Sequence, residues 1–160
     1  DTKKDDTFYF DDVMPDALCF DESHLLKNLD VNSRFDEFNK QGSKRSMDAL
    51  SKVRWLTRIH GREMNIIKSS GTPISNSFAE SYTLMRYMMN EPMAELMGTG
   101  SSVHPDRFFS NFIQRYTTPE IGVDGQYRVR NRYTIVNIPE LMGLMNQFMD
   151  VRFADDPKIL

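Results

Sequence analysis

Residues 17–24 read Ala-Leu-Cys-Phe-Asp-Glu-Ser-His, an apolar run that leads directly into two carboxylates and a histidine. A short apolar run bounded by polar residues is typical of a buried strand in a parallel sheet. Open α/β sheets bind their ligands at the carboxyl ends of strands, where Asp21, Glu22 and His24 would lie. An aspartate there can hold Mg²⁺ through water, and a glutamate can orient or deprotonate an attacking water. The stretch therefore indicates a nucleoside triphosphate site, with solvated strand-end carboxylates as the alternative.

A second strand-like stretch, residues 66–73, reads Ile-Ile-Lys-Ser-Ser-Gly-Thr-Pro and ends in a turn. Between the two stretches, a helix is predicted over residues 46–59, with Gly61 as its end. The strand–helix–strand spacing predicts that the two strands are parallel neighbours in one sheet. Both motifs would then meet at the same sheet edge, so we expect His24 to contact the turn at residues 70–72.

Together the two stretches resemble the superfamily-two helicases and translocases, which include the DEAD/DEAH-box enzymes and chromatin-remodelling motors. Asp21-Glu22-Ser23-His24 resembles the Walker B box of that group. Ser70, Gly71, Thr72 and Pro73 resemble its third motif, which couples nucleotide state to nucleic acid. The pair Lys27-Asn28 matches the remodeller-like branch, where a Lys-Asn pair often follows the acidic box.

A narrower resemblance is to the large helicases of bacteriophages and conjugative elements, which often carry an adenine methyltransferase ahead of the motor. In that group the acidic box, a Gly-Thr-Pro-x-Ser-Asn-Ser turn and an Asn-x-Pro-Glu-Leu-Met segment occur in this order. Here the last segment is residues 137–142, and the resemblance runs from about Phe8 to about Phe148.

The resemblance implies an α/β fold, with a partial RecA-like parallel sheet and flanking helices. A mainly helical C-terminal extension with one short β segment would follow. Residues 1–97 would form the carboxyl half of the first motor lobe, and residues 98–160 the appended region. The implied catalytic residues are Asp21, Glu22 and His24, with Mg²⁺ at Asp21 through water and His24 sensing the nucleotide.

The same resemblance implies ATP and Mg²⁺ as cofactors, and DNA and the remaining helicase lobes or other chains of the same assembly as partners. The sequence contains no Gly-x-x-x-x-Gly-Lys-[Ser/Thr] phosphate loop, and it begins with Asp1. We therefore expect a processed product, an excised domain or a partial chain that does not hydrolyse ATP alone. The alternative is a non-catalytic fragment, bound in a phage or mobile-element assembly, whose motor motifs are idle.

The composition is that of a folded domain: 160 residues, of which 39% are hydrophobic, with a net charge of −3. That charge excludes a global basic field for nucleic acid, so any such contact must be local. No apolar run is long enough to span a membrane, so we predict no membrane partner. The expected location is the cytoplasm of a bacterial or phage-infected cell, with virion association as the alternative. The single cysteine, Cys19, lies in the first apolar run and is interpreted as a buried small hydrophobe.

Serines mark two helix starts. Ser43 or Ser46 is expected to cap the helix over residues 46–59, and Ser77 with Glu80 predicts a capping box for the next helix. Residues 32–43, between the acidic box and the first of these helices, are polar and are predicted to form a mobile surface loop.

The C-terminal part is predicted to contain a helix over residues 106–116 and a strand over residues 126–136. Arg128, Arg130 and Arg132 alternate along that strand, so they share one face. Such a row can bind phosphates without reading base sequence. The alternative is a solvated face above packed apolar residues of the same strand, which are Tyr127, Val129, Tyr133 and Ile135.

Overall fold

The computed structural model describes residues 9–61, 65–89, 93–95 and 103–152. Its helices are Phe10–Val13 (α1), Lys44–His60 (α2), Ala79–Met88 (α3), Pro105–Phe112 (α4) and Ile138–Met145 (α5). Its strands are Leu18–Phe20 (β1), Ile66–Lys68 (β2), Ile113–Ile121 (β3) and Tyr127–Ile135 (β4). Short 3₁₀ helices form at Ser23–Leu26 and Asp36–Phe38.

Strands β1 and β2 pair in parallel, and α2 lies between them in the chain, so the predicted strand–helix–strand unit is confirmed. Ile66 is buried, and Leu18 and Phe20 pack against the same core as the buried face of α2. Cys19 pairs with Ile67 on the other face, and both are exposed. The interpretation of Cys19 as buried was therefore wrong. Only one face of this two-stranded sheet is covered by the described residues.

Helix α2 begins and ends as its sequence predicts. The Ser43 hydroxyl accepts a hydrogen bond from the Ser46 N–H at 3.1 Å, so Ser43 is the cap. Gly61 adopts φ 65°, a left-handed conformation in which glycine avoids the clash of a Cβ. Leu50, Val53 and Leu56 are buried at a spacing of three residues. The buried face of α2 packs against the β1–β2 pair in one core.

Residues 32–43 were predicted to be a mobile surface loop, and this was wrong. Phe35 and Phe38 are buried in the larger core, and the Phe38 ring lies 4.7 Å from that of Phe109. Val31 and Lys40 form an antiparallel bridge that closes the segment. The two aromatic side chains fix the segment because burying each one stabilises it by roughly 2 kcal/mol, despite the polar sequence around them.

The C-terminal part contains an antiparallel pair of strands, not the single short β segment that was predicted. Helix α4 ends at Phe112, and β3 replaces the expected last turn of the helix. Strand β4 spans Tyr127–Ile135, close to prediction, and pairs with β3 from Ile113↔Ile135 to Ile121↔Tyr127. A β-branched and aromatic run such as 113–118 takes the strand conformation when a partner strand completes its hydrogen bonds.

The larger core joins residues from both predicted domains, including Phe78 and Tyr82 from one range and Phe108 and Leu141 from the other. The boundary predicted at residues 97 and 98 lies outside the described residues, and the division stays a prediction. Within the described ranges, none of the helices has the length and apolar character needed to cross a membrane.

Candidate functional site

The acidic box follows β1 and is fixed by the end of β2. The Ser69 hydroxyl and the Glu22 N–H each donate a hydrogen bond to Asp21 Oδ1, both at 2.8 Å. These two bonds, the Ser69 bond first, hold the pKa of Asp21 below its ordinary value, so the group is ionised at neutral pH. Asp21 Oδ2 makes no hydrogen bond with any described residue.

The backbone joins the same two strand ends. The Ser69 N–H donates to the Phe20 carbonyl at 2.9 Å, and the Ser23 N–H donates to the Ser69 carbonyl at 2.8 Å. The ladder between β1 and β2 therefore continues into the acidic box. Ser69, which the sequence analysis did not single out, is the residue that connects the two motifs.

Glu22 has a left-handed backbone, with φ 48° and ψ 45°. This conformation costs a non-glycine residue about 1–3 kcal/mol and is typical of functional turns. It leaves the Glu22 side chain 64% exposed, with Oε2 3.0 Å from His24 Nδ1. The distance is that of an ion pair when His24 is protonated, but the angles do not satisfy a hydrogen bond, and Nδ1 is otherwise buried without a partner.

The hydrogen bond predicted between His24 and the turn is not formed, while the near contact that was also predicted stays a prediction. Within the described part of the chain His24 forms no hydrogen bond with residues 70–72. It shares a small cavity of about 10 Å³ with Pro73. The hydrogen bond that joins the motifs is the one between Asp21 and Ser69, because these residues stand at the ends of paired strands.

The turn after β2 is exposed. The Thr72 N–H donates to the Ser70 hydroxyl at 3.2 Å, which closes the turn locally. A Cβ placed on Gly71 would meet no atom within 4 Å, and the Gly71 backbone is not left-handed. The fold alone therefore does not require glycine at this position.

A buried carboxylate, Glu80, connects the segment after the turn to a lysine that follows the acidic box. Its Oε2 accepts from the Ser75 and Asn76 N–H groups at 2.7 and 3.2 Å. Its Oε1 lies 3.2 Å from both the Lys27 and the Lys40 ammonium groups. The predicted capping box was wrong, since Glu80 bonds to residues before Ser77.

The Glu80 cluster, which comprises Glu80, Lys27 and Lys40, keeps the carboxylate ionised although its side chain has no exposed surface. Burial raises the pKa of Glu80, but the Ser75 and Asn76 N–H groups and the two ammonium groups outweigh burial and hold it at about 2. Lys27 also donates to the Ser75 hydroxyl, and the Thr83 hydroxyl donates to the Lys27 carbonyl at 3.1 Å. The segment after the box is thus tied to the segment after the turn.

The three predicted phosphate-binding arginines lie on β4 and face the acidic residues of their own hairpin. Arg128 pairs with Asp124 at 2.5 Å, while Arg130 and Arg132 both pair with Glu120. All three guanidinium groups stay more than half exposed. The alternative of packed residues beneath them was wrong at the hairpin tip, where Tyr127 is 81% exposed.

The donor set suits a hydrated cation held by a single carboxylate. Among the described residues no group of three His, Cys, Asp or Glu side chains could hold a metal directly. Asp21 is ionised, exposed and has one oxygen without a hydrogen bond, which fits Mg²⁺ bound through water. Mg²⁺ and ATP themselves stay predictions.

A family model described as a probable helicase domain matches residues 1–153 of the chain. No curated protein and no solved structure matches it. The match confirms the coarse prediction of a helicase, while the superfamily-two branch and the phage or conjugative type stay predictions. It spans the acidic box, the turn and the hairpin, and the chain belongs to the probable helicase domain family.

Proposed function

We propose that this chain is the carboxyl half of the first, RecA-like motor lobe of a superfamily-two ATP-dependent DNA helicase or translocase, followed by an appended region. Its partners would be DNA and the remaining lobes of the motor or other chains of the same assembly. The chain would work in the cytoplasm of a bacterial or phage-infected cell. The order of its motifs favours the type found in bacteriophages and conjugative elements.

One observation carries the proposal. The acidic box and the Ser-Gly-Thr-Pro turn follow adjacent parallel strands, and Asp21 of the box is hydrogen-bonded to Ser69, the residue that immediately precedes the turn. In an open α/β sheet, this edge is where a nucleotide would bind. Similar carboxylates on unrelated surface loops would lack such a connection.

The residues divide the chemistry between them. Asp21 is held ionised by Ser69 and can orient a hydrated Mg²⁺, which would neutralise phosphate charge when bound. Glu22 is exposed and can accept the proton of an attacking water. His24 lies 3.0 Å from the Glu22 carboxylate and can respond to a change in its charge or position.

The turn would couple the nucleotide to nucleic acid. Gly71 and Thr72 are exposed, so a strand or a second lobe can approach the backbone there. A displacement of the acidic box would reach the turn through Ser69 and through the Glu80 cluster. The first connection is a hydrogen bond between Asp21 and the residue before the turn, and the second joins the segments that follow the two motifs.

The test is phosphate release by the full-length parent, with and without DNA, for the wild type and Glu22→Gln. The variant keeps the size of the side chain and removes the base, so we expect a loss of at least about 100-fold in turnover. Glu95→Gln, which changes an exposed glutamate outside the motifs, is the matched control and should keep full activity. Undiminished turnover by Glu22→Gln would contradict the assignment of the base.

A second function, a non-catalytic fragment of a phage or mobile-element assembly, is favoured by one observation. The 160 residues contain no Gly-x-x-x-x-Gly-Lys-[Ser/Thr] loop, and phosphoryl transfer depends mainly on positioning the phosphates. The isolated chain is therefore expected to release no phosphate above background. A parent without DNA-stimulated hydrolysis would favour this second function.

A further inference from the structure

A pocket of about 400 Å³ lies between the Ser-Gly-Thr-Pro turn and the segment that follows α5. Lys68, Ser70 and Gly71 form one side of it, and residues 148–152 form the other. We call it the Lys68 pocket. None of the roles proposed above assigns it a ligand.

Two cations, Lys68 and Arg152, line this pocket, and Lys68 is the one that pairs with no carboxylate among the described residues. Its ammonium group lies 3.8 Å from the centroid of the Tyr87 ring. No described carboxylate forms an ion pair with it. Burial lowers the pKa of Lys68 to about 8 because the charged form loses hydration.

The other charged groups near Lys68 are already paired. Arg152 and Asp150, on the opposite wall, lie 2.9 Å apart. Glu80, Lys27 and His24 line the neighbouring 10 Å³ cavity with Lys68, and Glu80 is shared between Lys27 and Lys40. Among the described residues, the unpaired charge of the pocket is therefore the positive charge of Lys68.

Polar and apolar groups are separated within the pocket. Ser23 lines it, and the Ser23 hydroxyl makes no hydrogen bond with any described residue. Leu84 and Met88 of α3, with Phe148 and Met149 opposite, supply an apolar wall. Ligand pockets commonly combine a largely apolar lining with a few polar groups that fix orientation.

We propose that the Lys68 pocket binds a small organic anion, a phosphate or carboxylate group carried on a compact apolar body. The anionic group would pair with the Lys68 ammonium and accept from the Ser23 hydroxyl. The apolar body would lie against Leu84, Met88 and Phe148. Because Ser70 and Gly71 form part of the wall, the bound ligand would restrict the turn.

The probe is phenyl phosphate, titrated into the 160-residue chain by calorimetry, with phenol as its uncharged counterpart. We expect phenyl phosphate to bind the wild type and Lys68→Met to weaken that binding at least about tenfold. Phenol should bind the wild type no more tightly than phenyl phosphate binds Lys68→Met. Lys52→Met is the matched control, since Lys52 also lies over an aromatic ring but is paired with Asp48 at 2.6 Å. It should leave binding unchanged.

A pH series on the wild type tests the same contact without any substitution. A phosphate monoester is almost fully ionised above about pH 7, whereas Lys68 loses its proton near pH 8. Binding should therefore weaken about tenfold from about pH 7 to about pH 9, and the Lys68→Met variant should lack this dependence. Tyr87, whose pKa burial raises to about 12, does not titrate in this range.

Three results would overturn the proposal: no binding of phenyl phosphate, equal binding by Lys68→Met, or binding independent of pH. Competition by a single-stranded oligonucleotide distinguishes the source of the anion. No competition supports a small-molecule site. Full displacement would mean that the pocket accepts nucleic-acid phosphates, which contradicts the proposed ligand class.

Discussion

In each of two regions of this chain, one glutamate pairs with two cations. In the Glu80 cluster, the carboxylate lies 3.2 Å from both lysine ammonium groups and has no exposed surface. In the hairpin, Glu120 pairs with Arg130 at 3.2 Å and with Arg132, and its side chain is 32% exposed. The charge pattern is the same, and the surroundings differ.

The difference lies in what replaces water. Glu80 has lost its hydration and receives two backbone N–H groups in addition to the two ammonium groups. Glu120 keeps water on one side, and its arginines are 65% and 51% exposed. Exposed ion pairs contribute little because solvent and salt screen them, whereas breaking a buried pair leaves an uncompensated charge. An ion-pair distance therefore does not by itself measure stabilisation.

The largest effect should come from removing the buried charge. Glu80→Gln keeps the side-chain size but leaves Lys27 and Lys40 without their anion, so we expect the free energy of unfolding to fall by roughly 3 to 5 kcal/mol. Urea titration followed by circular dichroism measures it. Glu120→Gln is the matched control, and its unfolding midpoint should equal that of the wild type. Equal losses in both variants would contradict the role given to burial.

Lowering the pH should reveal the same difference between Glu80 and Glu120. The pKa of Glu80 is about 2 in the folded chain and ordinarily 4.5, so its charge stabilises the fold fully above about pH 4.5. That contribution, roughly 3 kcal/mol, is lost as the pH falls through about 2. The free energy of unfolding, measured between about pH 6 and pH 3, should fall less steeply in Glu80→Gln than in the wild type. In Glu120→Gln, the slope of the free energy of unfolding against pH should stay closer to that of the wild type. Parallel plots of this free energy against pH for the wild type and Glu80→Gln would contradict the prediction.

A smaller change in stability, measured in a triple variant, should separate the cost of leaving Lys27 and Lys40 unpaired from the cost of removing the Glu80 charge. Adding Lys27→Met and Lys40→Met to Glu80→Gln removes the two orphaned ammonium groups and keeps an amide oxygen for the Ser75 and Asn76 N–H groups. Because uncharged replacements of a buried ion pair are often neutral, we expect the triple variant to recover at least about 1–2 kcal/mol of the loss. Urea titration again measures it. A triple variant less stable than Glu80→Gln would show that the lysine contacts matter beyond their charge.

The smallest effect on stability is expected from the hairpin arginines. Replacing Arg128, Arg130 and Arg132 with Gln should leave the unfolding midpoint unchanged, because their ion pairs are exposed. If they contact phosphates in the full-length parent, binding to all DNA sequences should weaken alike. The slope of log affinity against log salt should flatten by about two to three units, as measured by fluorescence anisotropy. An unchanged slope would leave the row as a solvated face, paired with Glu120 and Asp124.

Several parts of the fold could be predicted because neighbouring residues decide them. The Ser43 cap and the Gly61 end of α2 use groups within one turn of helix. The parallel pairing of β1 and β2 follows from an apolar strand, a crossover helix and a second strand of suitable length. The nearness of the acidic box to the turn follows from that pairing, since both motifs stand at carboxyl ends.

Other parts could not be predicted because distant residues decide them. The helical spacing of the phenylalanines in α4 continues to Ile113, and only the pairing with β4 converts that residue to strand. The continuous apolar run around Cys19 suggested a strand covered on both faces, whereas the described residues cover one. A polar stretch concealed two buried aromatic anchors, Phe35 and Phe38.

By itself the sequence determined the two motifs, their order, the crossover that joins them and membership in a helicase family. These depend on residue type, spacing and local hydrogen bonds. Only the tertiary structure decided that Ser69 links Asp21 to the turn, that Glu80 gathers two distant lysines, and that Lys68 lines a pocket in which none of the described carboxylates pairs with it. The physical reason is that the free energy of a charged group depends on its hydration and its partners. Both are set by chain segments that are far apart in sequence.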